Sequence, residues 1–418
     1  LARVALFRLE KWDESLDVPY RVVYDLDGTT HYYEGEIRRN PVDKDELAVA
    51  AFTGNKDYGF PNTPIVENLK KLDPDLLFFS GDQIYETVAG YGIVRSPLER
   101  ATLDYLRKYY LLGWSFGDLL RSRPSVIIPD DHDVYQGNIW GQNGRPIPKG
   151  ENFSYGGFVM DPQWVNMIQR TQTAHLPDPY DPAPVEQGIT VYYTDLNWGN
   201  VSFAILEDRK FKTGPNSEEA KDPDQLELLG DRQYEFLDHW VEDWEGVSMK
   251  ATLSQTVFAQ CHTHGGSASR PQWKSDRDAN GWPPEQRNEA LRIIRKAHAF
   301  MLAGDNHLPT VVHHGIDTWE DAGISFTVPS IAAGFPRAWW PDRTGLEKYP
   351  GLPEYFTEQK ESSELPDYVG RFYSPRKHPI TMLAAANPEI FVGHWQTTTG
   401  DFELLEEKRS GFGLVRFN

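Results

Sequence analysis

The feature that most constrains this chain is a series of short apolar runs, each ending in carboxylates, imidazoles or a guanidinium. LLFFS at 76–80 leads into Gly81-Asp82-Gln83-Ile84-Tyr85, and SVIIP at 125–129 leads into Asp130-Asp131-His132-Asp133. SFAIL at 202–206 is followed by Glu207-Asp208-Arg209, SQTVFAQ at 254–260 by Cys261-His262-Thr263-His264, and AFMLA at 299–303 by Gly304-Asp305-Asn306-His307. Helix-like segments at 63–72, 98–112, 228–244 and 284–298 alternate with these runs. Short buried strands alternating with amphipathic helices predict an α/β layered fold. In parallel α/β sheets ligands bind beyond the carboxyl ends of the strands, so parallel strands would bring all these polar groups to one rim.

The ends of the chain read differently. Residues 18–37 form two β-rich runs around an Asp-Gly turn, which predicts a hairpin. We therefore divide the chain into a β-rich N-terminal segment, 1–46, and a catalytic domain, 47–418. Residues 136–188 and 341–380 are rich in Gly, Pro, Asn and Asp and are expected as long irregular excursions, which in compact domains are often functional. Trp140, Trp164, Trp339 and Trp340 lie in or beside them and are candidates for shaping a groove.

Composition narrows the function. A net charge of −20 argues against binding bulk nucleic acid or an anionic membrane. The single cysteine, Cys261, permits neither an intrachain disulfide nor a cysteine zinc cluster, and reads as a buried small residue. No apolar run reaches the length of a membrane span, and the first residues lack a signal-peptide core. The sequence contains no P-loop, no GxSxG elbow and no HExxH motif.

What remains is metal chemistry. Three carboxylates in DDHD repel one another unless a cation or hydrogen-bond donors offset them. Asp oxygens and His nitrogens suit hard or borderline cations. Asp82, after Gly81, is placed to bridge two metals, which together would generate a hydroxide nucleophile and clamp a phosphoryl group. His132 can protonate a leaving group while Asp133 holds its tautomer. Arg209 reads either as a fork onto phosphate oxygens or as the partner of a nearby carboxylate. His262 and His264 are candidate substrate contacts, or loop histidines at the mouth. A metal-independent glycosidase using Asp130 and Asp133, or a binding protein that has lost catalysis, are readings from other classes.

At these residues the sequence resembles the PhoD-like (alkaline phosphatase D) metallophosphatases. The resemblance rests on GDQIY at 81–85, IPDDHDV at 128–134, LEDRKFK at 206–212, LLGDRQYEFL at 228–237, SQTVFAQ at 254–260, AGDNHL at 303–308 and FPRAWWP at 335–341. It implies a four-layer α/β/β/α metallophosphoesterase sandwich preceded by a small β-rich segment. It also implies two or more metal ions, Fe³⁺ and Ca²⁺, held by Asp82, Tyr85, Asp131, Asp305 and His307, with Asn138 as a further ligand and His132 as proton donor. The family often carries a cysteine ligand at the end of its first strand. Here the segment is Ala51-Phe52-Thr53-Gly54-Asn55, which makes Asn55 the substitute ligand and brings in Mn²⁺ or Zn²⁺. Gln255, His262 and His264 all stand near the position of a further superfamily histidine.

The expected activity is hydrolysis of phosphodiesters, with phosphomonoesters as additional substrates. The alternative is another ester on the same scaffold: a phospholipid head group, a phosphonate or a sulfate ester. The substrate would be a small molecule, and the resemblance implies a secreted or periplasmic protein. The oligomeric state is not legible.

Overall fold

Short, nearly continuous apolar runs build two sheets here, whose central strands are buried on both faces. The computed structural model describes residues 2–9, 11–265, 277–278, 281–332, 335, 337–339, 369–374, 376, 378–386 and 410–418, apart from the side chains of Tyr58 and His264. The N-terminal hairpin is β1 (Val18–Leu26) and β2 (Thr29–Ile37), paired from Val18↔Ile37 to Leu26↔Thr29. It joins neither large sheet. Its base is tied to the chain after the second helix, where Arg121 O accepts the Glu36 N–H at 2.9 Å and the Tyr20 hydroxyl at 3.1 Å.

The first half of the main body runs β3 (Leu47–Phe52), α1 (Thr63–Leu72), β4 (Leu76–Phe79), α2 (Leu98–Leu120), β5 (Ser125–Ile127) and α3 (Pro162–Thr173). The second half runs β6 (Thr194–Trp198), β7 (Val201–Ile205), α4 (Asp231–Glu242), β8 (Met249–Thr256), β9 (His264–Gly265), α5 (Pro284–Ile294), β10 (Phe300–Gly304), β11 (Thr310–His314), β12 (Ile324–Thr327) and β13 (Arg337–Ala338). It closes with β14 (Gly370–Tyr373), β15 (Pro379–Ala385) and β16 (Gly413–Phe417).

β3, β4 and β5 are parallel, with β16 antiparallel on the edge. The larger sheet has the order β14-β15-β11-β12-β10-β8-β7-β6, with β7, β8, β10 and β12 mutually parallel at its centre. Leu47, Val49 and Ala51 of β3 and Leu76 and Phe78 of β4 meet Val201, Phe203, Ile205, Leu253 and Leu302 of the larger sheet, forming a core between the sheets. The alternate residues, Ala50, Phe52, Leu77 and Phe79, pack on Val66 and Leu69 of α1 and Leu112, Phe116 and Leu119 of α2. On the far side, Ala204, Met301 and Ala303 pack with Phe236, Leu237 and Trp240 of α4 and Leu291 and Ile294 of α5. That is the four-layer α/β/β/α sandwich the sequence led us to expect.

The helix expected at 98–112 continues to Leu120, and the irregular stretch 136–188 contains α3, which the Gly/Pro-rich surroundings hid. Much of 341–380 lies outside the described residues, and β14 falls at its end. Trp140, Trp164 and Trp339 are buried rather than groove-forming, and Trp340 lies outside the described residues. Cys261 is buried in the outer core, where burial pushes its thiol up to about 11.

The two sheets meet at the carboxyl ends of their strands. Thr53, just beyond β3, forms a parallel bridge with Ser330, beyond β12. Gly304 makes the approach possible, since a Cβ there would lie 2.0 Å from Ser80 Oγ and 2.7 Å from Thr53 Oγ1.

Candidate metal centre

The polar groups beyond β4, β5, β7 and β10 converge on this seam. Gly81 has φ 128°, and a Cβ there would lie 2.2 Å from Asp130 Cβ, so only glycine lets the β4 and β5 loops touch. Asp82 then takes a left-handed turn at φ 56°, and Asp305 (58°) and His307 (64°) do the same after β10. Left-handed backbone at non-glycine residues costs about 1–3 kcal/mol each and concentrates at functional sites.

Asp82 stands at the centre of the cluster. Its Oδ2 accepts the Tyr85 hydroxyl at 2.9 Å, and the same hydroxyl lies 3.1 Å from His307 Nε2. Its Oδ1 accepts the His132 N–H at 3.3 Å, which Asp131 Oδ1 also accepts at 2.9 Å. Asp82, Asp131 and His132 form one group able to hold a cation, and Asp130, Asp131 and Asp305 form a second. Burial raises the Asp130 and Asp131 carboxyls well above the usual range, and their carboxylate neighbours raise them further. Burial pushes Asp82 the same way, but the His132 and His307 rings outweigh it and hold Asp82 low. Burial and the adjacent Asp82 push the Tyr85 phenol up.

The residues fit a metal. Among the described residues, Asp305 Oδ2 and His307 Nδ1 are buried with no hydrogen-bond partner, although buried polar atoms are normally paired. Oxygen and imidazole donors of this kind suit hard and borderline cations. Asp82, Tyr85, Asp131, Asp305 and His307 thus lie together on the seam.

Other sequence expectations are corrected. Asp133 does not hold His132. It is buried, and its carboxylate accepts the N–H groups of Asp82 (2.8 Å), Asp130 (2.9 Å) and Gln83 (3.1 Å) and the Gln172 amide (3.0 Å), clasping the two loops together. Burial raises its carboxyl to about 7. The partner of His132 is Glu86, whose Oε2 lies 2.7 Å from His132 Nδ1. Burial lowers the His132 ring, but Asp82 and Glu86 outweigh it and bring it up to about 9. Glu86 was missed, though it directly follows Tyr85 in the sequence.

Asn55 braces rather than ligates. Its Nδ2 donates to Gln83 O at 3.3 Å, its Oδ1 accepts from Asn62 at 3.2 Å, and its main-chain N–H donates to Asp82 O at 2.8 Å. Asn138 is half-buried beside Gly137, whose position faces the His132 ring, and no hydrogen bond or ion pair joins it to the cluster. His262 is buried rather than facing a substrate mouth, and its Nδ1 accepts from Asn306 Nδ2 at 2.8 Å. The side chain of His264 lies outside the described residues. Gln255 is buried, accepting the Asp208 N–H at 3.1 Å and donating to Glu207 Oε1 at 3.2 Å, and so ties β8 to the β7 loop.

Arg209 is enclosed by carboxylates. Its Nε and Nη2 fork onto Asp130, Nη2 also donates to Asp305 Oδ1 at 3.0 Å, and Nη1 donates to Asp278. Asp131 lies 4.0 Å from the same Nη2. The guanidinium therefore sits against the second cation-binding group, and its carboxylate partners outweigh burial and raise its pKa. Asp130 was weighed only as a glycosidase carboxylate, and Asp278 was not singled out. Asp130 lay within DDHD, whereas Asp278 had no local signal.

Against known proteins, the model of the PhoD-like phosphatase family matches residues 49–344. No curated protein matches the sequence. Among solved structures, the fold is similar to that of PhoD, with a TM-score of 0.53 and 18% identity over 76% of this chain. This chain spans 62% of the length of that PhoD chain. A purple acid phosphatase, PPD1, from yellow lupin (Lupinus luteus) seeds is similar at a TM-score of 0.47 and 14% identity, over 76% of this chain and 51% of that one. With its site gathered on the seam of a four-layer sandwich, and with more than half its length matched, the chain belongs to the PhoD-like phosphatase family.

Proposed function

We propose that residues 47–418 form a metal-dependent phosphoesterase that hydrolyses phosphodiesters, and phosphomonoesters as additional substrates, by in-line attack of water. The observation that carries this reading is that His132, backed by Glu86 at 2.7 Å, stands in the same cluster as Asp82 and Asp131, which can hold a cation.

Asp82, Tyr85, Asp131, Asp305 and His307 would hold the metal ions, with Asp130 in the second group. A cation held by these residues would lower the pKa of water and neutralise phosphoryl oxygens. Two or more ions, Fe³⁺ and Ca²⁺ or in their place Mn²⁺ or Zn²⁺, suit this mixture of carboxylate, phenol and imidazole donors.

The chain's own residues do the rest. Glu86 accepts from His132 Nδ1, so Nε2 is the nitrogen left to give a proton to the departing alkoxide. The ring of Tyr85 lies against His132 with centroids 4.2 Å apart and limits its rotation. Asp133 holds the β4 and β5 loops in register, so that Asp82 and His132 face the same point. Arg209 keeps Asp130 and Asp305 in place and contributes positive charge beside the phosphoryl group.

Among the described residues no helix is long and apolar enough to cross a membrane. We place the protein in a secreted or periplasmic setting, acting on a small-molecule ester.

The test is metal content together with turnover of bis(p-nitrophenyl) phosphate, before and after chelation. Bound metal with chelator-sensitive turnover is expected. Turnover by metal-free protein would overturn the reading, and turnover confined to a sulfate ester or phosphonate would transfer it to that substrate.

A further inference from the structure

The guanidinium of Arg209 has two kinds of partner. Asp130 and Asp305 belong to a cation-binding group of the site. Asp278 belongs to neither cation-binding group found among the described residues, yet its carboxylate meets Nη1 of the same guanidinium. Asp278 comes from the stretch between β9 and α5, far in sequence from the other site residues, and its main-chain carbonyl is anchored by Lys212 Nζ at 2.7 Å. Both Asp278 and Arg209 are buried, so their charges are poorly screened by solvent.

Resting on the phosphoesterase reading, we propose that Asp278 sets the charge selectivity of the site, favouring monoanionic diesters over dianionic monoesters. Arg209 faces the cluster with Nη2 and Asp278 with Nη1, so the carboxylate offsets from behind the positive charge that Arg209 directs at the site. An incoming phosphoryl group meets that reduced field. A diester brings one negative charge, whereas a monoester above neutral pH brings two, and the second charge is opposed by Asp278. At an effective dielectric of about 20, a unit charge about 12 Å away, on the far side of the guanidinium, changes the relative preference for that second charge by roughly tenfold. In this reading Asp278 acts through Arg209, which makes it a positioning residue for charge.

The experiment compares kcat/KM for bis(p-nitrophenyl) phosphate and p-nitrophenyl phosphate at pH 8 in the metal-loaded protein and in Asp278→Asn. The substitution keeps an oxygen acceptor for Arg209 but removes the charge. The monoester-to-diester ratio is expected to rise about tenfold, and Asp278→Glu should return it toward the parent value. Asp278→Gln paired with Asp278→Glu repeats the comparison at equal side-chain length should the Asn variant not fold. Calorimetric titration with inorganic phosphate, which needs no turnover, should show tighter binding in the Asn variant by a similar factor.

An active parent whose ratio and phosphate affinity are unmoved by Asp278→Asn overturns the proposal and leaves the phosphoesterase reading standing. A parent that turns over neither ester counts against the phosphoesterase reading. The phosphate titration then decides for Asp278, and unchanged or absent binding overturns it.

Discussion

Nδ1 of His132 lies 2.7 Å from Oε2 of Glu86, a carboxylate four residues beyond Asp82. The pair fixes the ring's orientation and tautomer, and such partners typically matter 10- to 100-fold in activity, on the order of what an oriented acid contributes. Glu86→Gln should therefore lower kcat/KM about 30-fold for alkyl esters, whose leaving groups need a proton. The loss should be much smaller for p-nitrophenyl esters. A leaving-group series in the parent and variant checks this, and equal losses across the series would show that Glu86 does not act through proton donation.

Asp82 touches Tyr85, His132 and, at 3.8 Å, His307, so it joins every arm of the cluster. Asp82→Asn removes the central charge and should lose metal and activity together, activity by at least about a hundredfold. Metal content by plasma mass spectrometry beside turnover is the measurement. Full metal with full activity would remove Asp82 from the centre.

Gly81 faces Asp130 so closely that an alanine Cβ would lie 2.2 Å from Asp130 Cβ. Gly81→Ala must move the β4 or β5 loop and adopt an unfavourable φ, costing about 2–4 kcal/mol. Denaturant unfolding measures the loss, and metal affinity should fall with it because Asp82 is the next residue.

His314 and His378 are buried away from the site. His314 Nδ1 accepts from Arg287 Nη2 at 3.2 Å, and Arg287 is itself buried. Burial and this neighbouring cation hold both imidazoles well below their ordinary pKa. Below about pH 6.5 the unfolded chain takes up protons that the folded chain refuses, so stability falls with falling pH by up to about 1.4 kcal/mol per unit for each histidine. Above that pH neither state binds the proton and their contribution is level. Unfolding curves from pH 8 to 5 should show this slope, reduced by one histidine's share in His314→Gln.

Sequence patterning revealed the layers because β3, β4, β7 and β10 serve two different cores at once and so read as short, nearly continuous apolar runs. Groups at strand ends were legible for the same reason: Asp82, Asp131, Asp305 and His307 each lie within four residues of the end of an apolar run. Partners that act across the fold were not. Asp133 sits in the same motif as His132, and adjacency suggested a pair. However, the turn points its carboxylate inward, to the main-chain donors of two loops. Glu86 takes its place, its Oε2 2.7 Å from His132 Nδ1. Asn55 was read as a ligand by position, but the nearby Asn62 and Gln83 claim its amide. Helix α3 escaped because its neighbours in sequence are Gly- and Pro-rich, whereas its buried face, including Trp164, Val165 and Ile168, is read only against Tyr105 of α2.

The bridge from Thr53 to Ser330 has a consequence for how activity depends on folding. Asp82, Tyr85 and Asp131 are carried by the smaller sheet, and Asp305 and His307 by the larger. The first cation-binding group lies wholly on the smaller sheet, but the second draws Asp130 and Asp131 from the smaller sheet and Asp305 from the larger, so a cation held in it would act as a rivet. Its grip would report that the halves have docked in register, and a chain with its sheets apart would be chemically silent.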